Sequence, residues 1–153
     1  MTIIRNGQAQ QDTGAADDPL GQYTAELLSD SGGLSQFGAF IEELAPGASS
    51  SYDHWHAVED EMVYILSGNV TLRENDAEHT LYPGDTACWK AGTPVAHCLI
   101  NNTSGPVRYL VIGSRAQEDT VTYPGLDRIM RYDRKTDTRR YTTLDGVPAD
   151  KPF

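Results

Sequence analysis

The sequence predicts an all-β domain, a sandwich or barrel of short strands. Apolar segments alternate with turn residues about every 8 to 12 positions, and Pro46-Gly47, Ser67-Gly68, Pro83-Gly84 and Ala91-Gly92 mark the turns. Little room is left for helices, and neither an internal repeat nor a low-complexity tract stands out.

Residues 5–21 are polar and rich in Gln, Asp, Ala and Gly, which predicts a flexible N-terminal lead-in over residues 1–22. Strands are then expected over residues 23–28, 34–44, 50–56, 61–66, 69–74, 78–82, 85–90, 96–101 and 107–113, which places a barrel within residues 23–114. In segment 34–44, Phe37, Phe40, Ile41 and Leu44 would also suit one face of a helix, but Gly38 and the Pro46-Gly47 stop favour a strand. Beyond Gly113 the pattern loosens. Tyr123-Pro124-Gly125 and Asp145-Gly146 signal turns and residues 128–133 a short strand, so residues 115–153 form a C-terminal extension expected to pack on the barrel or on a partner subunit.

A chain of 153 residues buries enough surface to fold without a metal or a disulfide, so a metal here would serve function. The net charge of −10 argues against nucleic acid and anionic membranes as partners. Charge is uneven: residues 1–114 hold 15 acidic and 4 basic side chains, whereas residues 115–153 hold 7 acidic and 8 basic. No apolar stretch approaches the roughly 18 to 20 residues of a membrane span, and the N-terminus lacks a signal-peptide apolar region, so a cytoplasmic protein is expected. Cys88 and Cys98 form neither a disulfide framework nor a Cys-x-x-Cys pair; buried free thiols are expected, with an approach across strands left open.

Three of the 4 histidines gather with a glutamate between residues 54 and 97. On a strand, His54 and His56 point to one face with Trp55 to the other, as two ligands of one ion must. Glu61 opens the apolar run Met62-Val63-Tyr64-Ile65-Leu66, a strand that brings its carboxylate beside the imidazoles, and His97 follows two glycine turns later. Cys98 should face away from His97.

These residues resemble a known family. The stretch from Gly47 to Gly68 is similar to the first cupin motif, His-x-His, three or four residues, Glu, six residues, Gly, read here as His54-Trp55-His56, Glu61 and Gly68. The stretch from Gly84 to Asn101 is similar to the second, through Gly84, Gly92, His97 and Asn101. Two departures stand out: Lys90 replaces the usual proline, and four residues separate Gly92 from His97 where the family has two. The wider phrasing resembles small bacterial single-domain cupins, often labelled sugar-phosphate-isomerase-like. The resemblance implies a cupin-type double-stranded β-helix, a jelly-roll barrel with N- and C-terminal extensions, holding a divalent metal on His54, His56, Glu61 and His97. It implies no single reaction, because the fold hosts many.

Three neutral imidazoles and one carboxylate leave a divalent ion a single net positive charge and, if octahedral, two open positions for water or substrate. Ligand type does not separate Fe, Mn, Ni, Co or Zn. Alternation adds Tyr52, Val63, Ile65, Leu99 and Asn101 to the pocket face, a mostly apolar lining in which Tyr52 is the one candidate for proton transfer. His79 reads as exposed and unrelated, Glu59 and Asp60 as a solvated acidic turn, and Trp55 as directed away from the ion.

Two functions follow. One is a metal-dependent enzyme, isomerase-like, oxygenase-like or a lyase, acting on a small oxygenated metabolite. The alternative is a non-catalytic cupin that binds or senses a metal and a small ligand, favoured by the lack of a clear general acid or base. A phosphorylated substrate would need a cationic cradle, for which Lys90, Arg108 or an arginine of the extension are the sources. Homodimerisation is expected, since jelly-roll edge strands need covering, with Arg128, Arg131, Arg134, Arg139 and Arg140 as a possible clasp.

Overall fold

The computed structural model describes residues 1–15 and 17–152. In chain order the strands are β1 (Gln10–Thr13), β2 (Tyr23–Leu27), β3 (Phe37–Leu44), β4 (Trp55–His56), β5 (Glu61–Ser67), β6 (Val70–Glu74), β7 (Ala77–Leu81), β8 (Thr86–Trp89), β9 (His97–Ile100), β10 (Val107–Ser114), β11 (Glu118–Tyr123), β12 (Arg128–Asp133) and β13 (Thr138–Thr142). A single helical turn, α1 (Leu28–Ser31), follows β2, and a 3-10 turn covers Pro124–Leu126. The expected all-β architecture is what the chain forms. Among the described residues no helix is long and apolar enough to cross a membrane.

The strands make a six-stranded sheet in the order β1-β2-β3-β10-β5-β8, a three-stranded sheet β7-β6-β9 and a four-stranded sheet β13-β12-β11-β4, every pairing antiparallel. Alternation decides which side chains go inside. Val107, Tyr109 and Val111 of β10 and Val63 and Ile65 of β5 meet Val70, Leu72 and Leu99 of the three-stranded sheet in one core. Tyr64 and Leu66, between the inward residues of β5, remain exposed. A bulge at Leu66 sets Ser67 opposite Arg108 while Ile65 faces Tyr109, and the turn at Gly68 follows. A Cβ on Gly68, at φ +76, would lie 2.8 Å from Val107 Cγ1 and 2.9 Å from the Pro106 carbonyl, so glycine is required.

Three local departures from the sequence reading have physical causes. The strand expected over residues 50–56 shrinks to β4, because from the Ser49–Ile100 bridge to the His54–His97 bridge one chain advances five residues and the other three, and the surplus bows outward. Strand β1 arises inside the lead-in, paired with β2 in full register although all four of its residues are exposed, so no apolar pattern announces it. Cys88 is exposed, not buried, since Ala87 and Trp89 take the inward side of β8; Cys98 is buried, and both thiols are free. The extension adds β11 to β13, and β11 pairs directly with β4 through Val121 opposite His56 and Thr122 opposite Trp55.

Candidate metal centre

Backbone geometry aims the three imidazoles. Strand β4 and the residue before it lie between β11 on one side and β9 on the other, with His54 and His97 exchanging backbone hydrogen bonds of 3.2 and 2.9 Å. The ring centroids of His54 and His56 are 5.1 Å apart, as are those of His54 and His97. Glu61 begins β5 next door, and the candidate ligand atoms of His54, His56 and Glu61 lie within 4.8 Å of one another. His97 stands outside that tightest set, yet its Nε2 is 3.3 Å from Glu61 Oε2, closer than His56 Nε2 at 3.7 Å. The lengthened loop before His97 therefore still delivers its ring to the carboxylate.

In each ring Nδ1 is occupied elsewhere: His54 Nδ1 is 2.9 Å from the Tyr52 carbonyl, His56 Nδ1 is 2.6 Å from Asp119 Oδ2, and His97 Nδ1 is 3.1 Å from the Val95 carbonyl. An Nδ1–H donated to each acceptor leaves each Nε2 with its lone pair, the form a metal needs. The flat face of His97 stacks on Trp89 at 3.8 Å and 7°, and Trp89 Nε1 donates to Glu74 at 2.7 Å.

Electrostatics favour the metal-ready form at His54 and Glu61, whereas at His56 a cation would have to displace a more firmly held proton. Burial drives the His54 pKa down to about 4, so the ring is neutral near neutral pH. Burial opposes charge on His56 and on Glu61 too, but Asp119 outweighs it and holds the His56 pKa up, while the adjacent His97 ring and the other imidazoles hold Glu61 down, ionised. Three imidazole nitrogens and one carboxylate fit a divalent cation of the first transition row.

Asp119, which no spacing in the sequence singled out, is buried, accepts from His56 and from the Val58 N–H at 3.0 Å, and comes from the extension. Glu59 is not a solvated turn residue: its Oε1 accepts from Arg134 and from the Ala116 N–H, both at 2.8 Å, and it stands near His56 and Asp119. Asp60 is exposed and accepts from the Ala91 N–H at 2.8 Å, and His79 is exposed beside Glu74 at 4.0 Å, away from the centre. Asn101 is fully buried and bonds the Leu44 and Gly105 carbonyls, holding a turn.

His54, Glu61 and His97 open on an inner cavity of about 220 Å³, whose wall also includes Val63, Glu42 and Tyr109. Tyr52 lines a different, outer cavity of about 500 Å³ with Asp12, Asp18, Tyr23 and Lys151. A third, of about 280 Å³, runs from His56 and Glu61 to Arg115 and Arg134. Arg108 is paired with Glu26 and Glu43 and lines none of the three, and Lys90 lies on a surface hollow beside Asp60 and Met62. The cations that share a cavity with the candidate ligands, Arg115 and Arg134, thus both come from the extension.

Residues 40–113 match the cupin domain family. A crystal structure of a cupin-superfamily sugar phosphate isomerase from Silicibacter pomeroyi superposes with a TM-score of 0.89 at 31% identity, covering 97% of each chain. A putative sugar phosphate isomerase from Acidithiobacillus ferrooxidans gives 0.77 at 26% identity over 85% of this chain and 81% of that one. The fold alone is shared with a predicted oxalate decarboxylase from Thermotoga maritima, at 0.63 and 19% identity over 75% of this chain and all of that one (100%). No curated protein matches the chain in sequence.

Proposed function

Since the chain belongs to the cupin superfamily, with the double-stranded β-helix fold of its relatives, we propose that it is a metal-dependent enzyme of isomerase-like type acting on a small oxygenated metabolite. The observation that carries this reading is the gathering of His54, His56 and His97 around Glu61, each imidazole with Nδ1 engaged behind it. A divalent cation bound there would act as a Lewis acid toward a carbonyl or hydroxyl oxygen. His54, His56 and His97 would hold it through Nε2 and Glu61 through its carboxylate, while Asp119 fixes the His56 tautomer and Trp89 the plane of His97.

Two further observations support an anionic substrate. Arg115 and Arg134 line the cavity that holds His56 and Glu61, and each keeps one nitrogen, Arg115 Nε and Arg134 Nη1, without a protein hydrogen bond among the described residues. Arg115 lies against Gly38, where a Cβ would come within 3.3 Å of Nε. The names of the two isomerase relatives point to the same substrate class, sugar phosphates. The test is metal analysis of purified wild type, H54A and H56A by inductively coupled plasma mass spectrometry, with isomerisation of aldose phosphates followed in parallel. Stoichiometric metal in the wild type alone, and turnover only with metal, is expected; wild-type turnover after complete chelation would reject the reading. We also propose a homodimer formed through the outward face of the six-stranded sheet, where Tyr64 and Leu66 are 39% and 40% exposed. Light scattering should report a dimer for the wild type and a monomer for Tyr64→Lys/Leu66→Lys.

A further inference from the structure

Beyond the candidate ligands, the inner cavity holds one more carboxylate. Glu42 sits on β3 directly opposite Tyr109 on β10, on the inward face shared with Leu44, and is 7% exposed; Tyr109 is 1% exposed. Both reach the wall that also carries His54, Glu61 and His97. Among the described residues no cation pairs with Glu42. The Tyr109 hydroxyl is buried with no hydrogen-bond partner of good geometry, although the Glu42 carboxyl and the Ser50 hydroxyl lie beside it. Buried polar groups are nearly always satisfied. A phenol on the wall of a cavity, with the Glu42 carboxyl beside it at poor hydrogen-bond geometry, is placed to turn to a ligand oxygen.

Glu42 also lines the outer cavity, and with Phe40 and Ser50 it stands on the wall common to both chambers. It is thus reached from the side built by the N-terminal segment while facing the imidazoles on the other.

We propose that Glu42 is the proton-transferring group of the inner cavity, with Tyr109 hydrogen-bonding the oxygen of the bound substrate. This rests on the isomerase-like reading above. For an α-hydroxy aldehyde, the Glu42 carboxylate takes the proton from the hydroxyl-bearing carbon. That C–H pair becomes a carbon–carbon double bond and the carbonyl pair moves onto its oxygen, giving an enediolate. The remaining hydroxyl proton passes to the neighbouring oxygen. The carboxyl then returns its proton to the former aldehyde carbon, giving the ketone and regenerating the carboxylate, with no oxidant or co-reactant consumed. Burial raises Glu42 to about pH 7, Tyr109 pulls it down, and Glu61 and Asp12 push it up, so the group gives and takes protons near neutrality. The other titratable groups around it are His54, His97 and Cys98 in the inner cavity and Asp18, Tyr23, Tyr52 and Lys151 in the outer one. Burial keeps Tyr109 protonated and able to donate throughout this range.

The test uses metal-loaded full-length protein in D2O with ribose 5-phosphate and glucose 6-phosphate as probes, deuterium entering the sugar being read by mass spectrometry. E42Q should lower exchange at least ~100-fold with metal content unchanged, E42D should restore part of it, and Y109F should slow it ~10-fold. Infrared spectra of metal-free protein at pH 6 should show a carboxylic acid band in the wild type that E42Q lacks. Wild-type exchange by E42Q, or no difference in that band, overturns the assignment alone. An inert wild type with a normal band overturns the isomerase-like reading and the assignment with it.

Discussion

Replacing Asp119 by asparagine isolates the contribution of the extension to the metal centre. The wild-type carboxylate serves two donors at once, the His56 ring through Oδ2 at 2.6 Å and the Val58 N–H through Oδ1 at 3.0 Å. An asparagine has one acceptor oxygen. If it keeps Val58, its NH2 faces His56 Nδ1 and forces the ring proton onto Nε2, the nitrogen needed by the metal; if it turns to His56, two N–H groups face each other at Val58. Loss of such a partner typically lowers metal affinity about 10- to 100-fold, which is about 1.4 to 2.7 kcal/mol. Competition between the protein and a chelating dye for Zn2+ measures this directly, with D145N, on an exposed turn, as control. A D119N dissociation constant within about twofold of wild type would refute the claim that Asp119 sets the His56 tautomer.

The Glu42 carboxyl makes stability pH-dependent: its folded pKa, raised by burial from 4.5 to about 7, favours folding fully below the unfolded value, and this is lost as pH rises through the folded one. Metal-free E42Q should therefore gain on wild type between about pH 4.5 and 8, by on the order of 3 kcal/mol in urea denaturation, and equal pH slopes for the two proteins would contradict it. The neutral His54 ring, at about 4, acts in the opposite sense over nearly the same window, so the difference between the two proteins is the quantity to follow. Gly68→Ala should cost about 2 to 4 kcal/mol through the positive φ and the 2.8 Å approach to Val107, read as a lower denaturation midpoint. Because Trp89 stacks on His97, Co2+ binding should quench tryptophan fluorescence, and W89F, which retains Trp55, should lose more than half of that quench.

Local periodicity made the barrel and the quartet readable. His54, His56, Glu61 and His97 sit at intervals that resemble the cupin motifs, and the strands around them carry a clean alternation, as in Val63 and Ile65 inward with Tyr64 and Leu66 outward. Glu42 left a local trace as well: Phe40, Glu42 and Leu44 share one face of β3, so a carboxylate interrupts an apolar row. What no pattern reveals is its partner, since Tyr109 meets it only through the register of β3 on β10. Asp119 is similar. It alternates with Val121 and Tyr123 on the buried face of β11, but its hydrogen bond to His56 joins residues 63 positions apart through a two-residue strand too short to be recognised.

The extension, set apart in the sequence by its balance of basic and acidic residues, supplies the centre with more than covering. Asp119 orients one candidate ligand, and Arg134 reaches the cavity beside His56 while bonding Glu59. At the other end of the chain, Asp12, Asp18 and Tyr23 wall the outer cavity up to Glu42. The motif residues thus make the candidate cation site, and the flanking segments wall the cavities that adjoin it. Chemistry in this fold is tuned by such grafted groups around a shared metal site. Two proteins with the same quartet can accordingly differ in substrate through β1, β2 and β11 to β13, where barrel-wide sequence patterns are weakest.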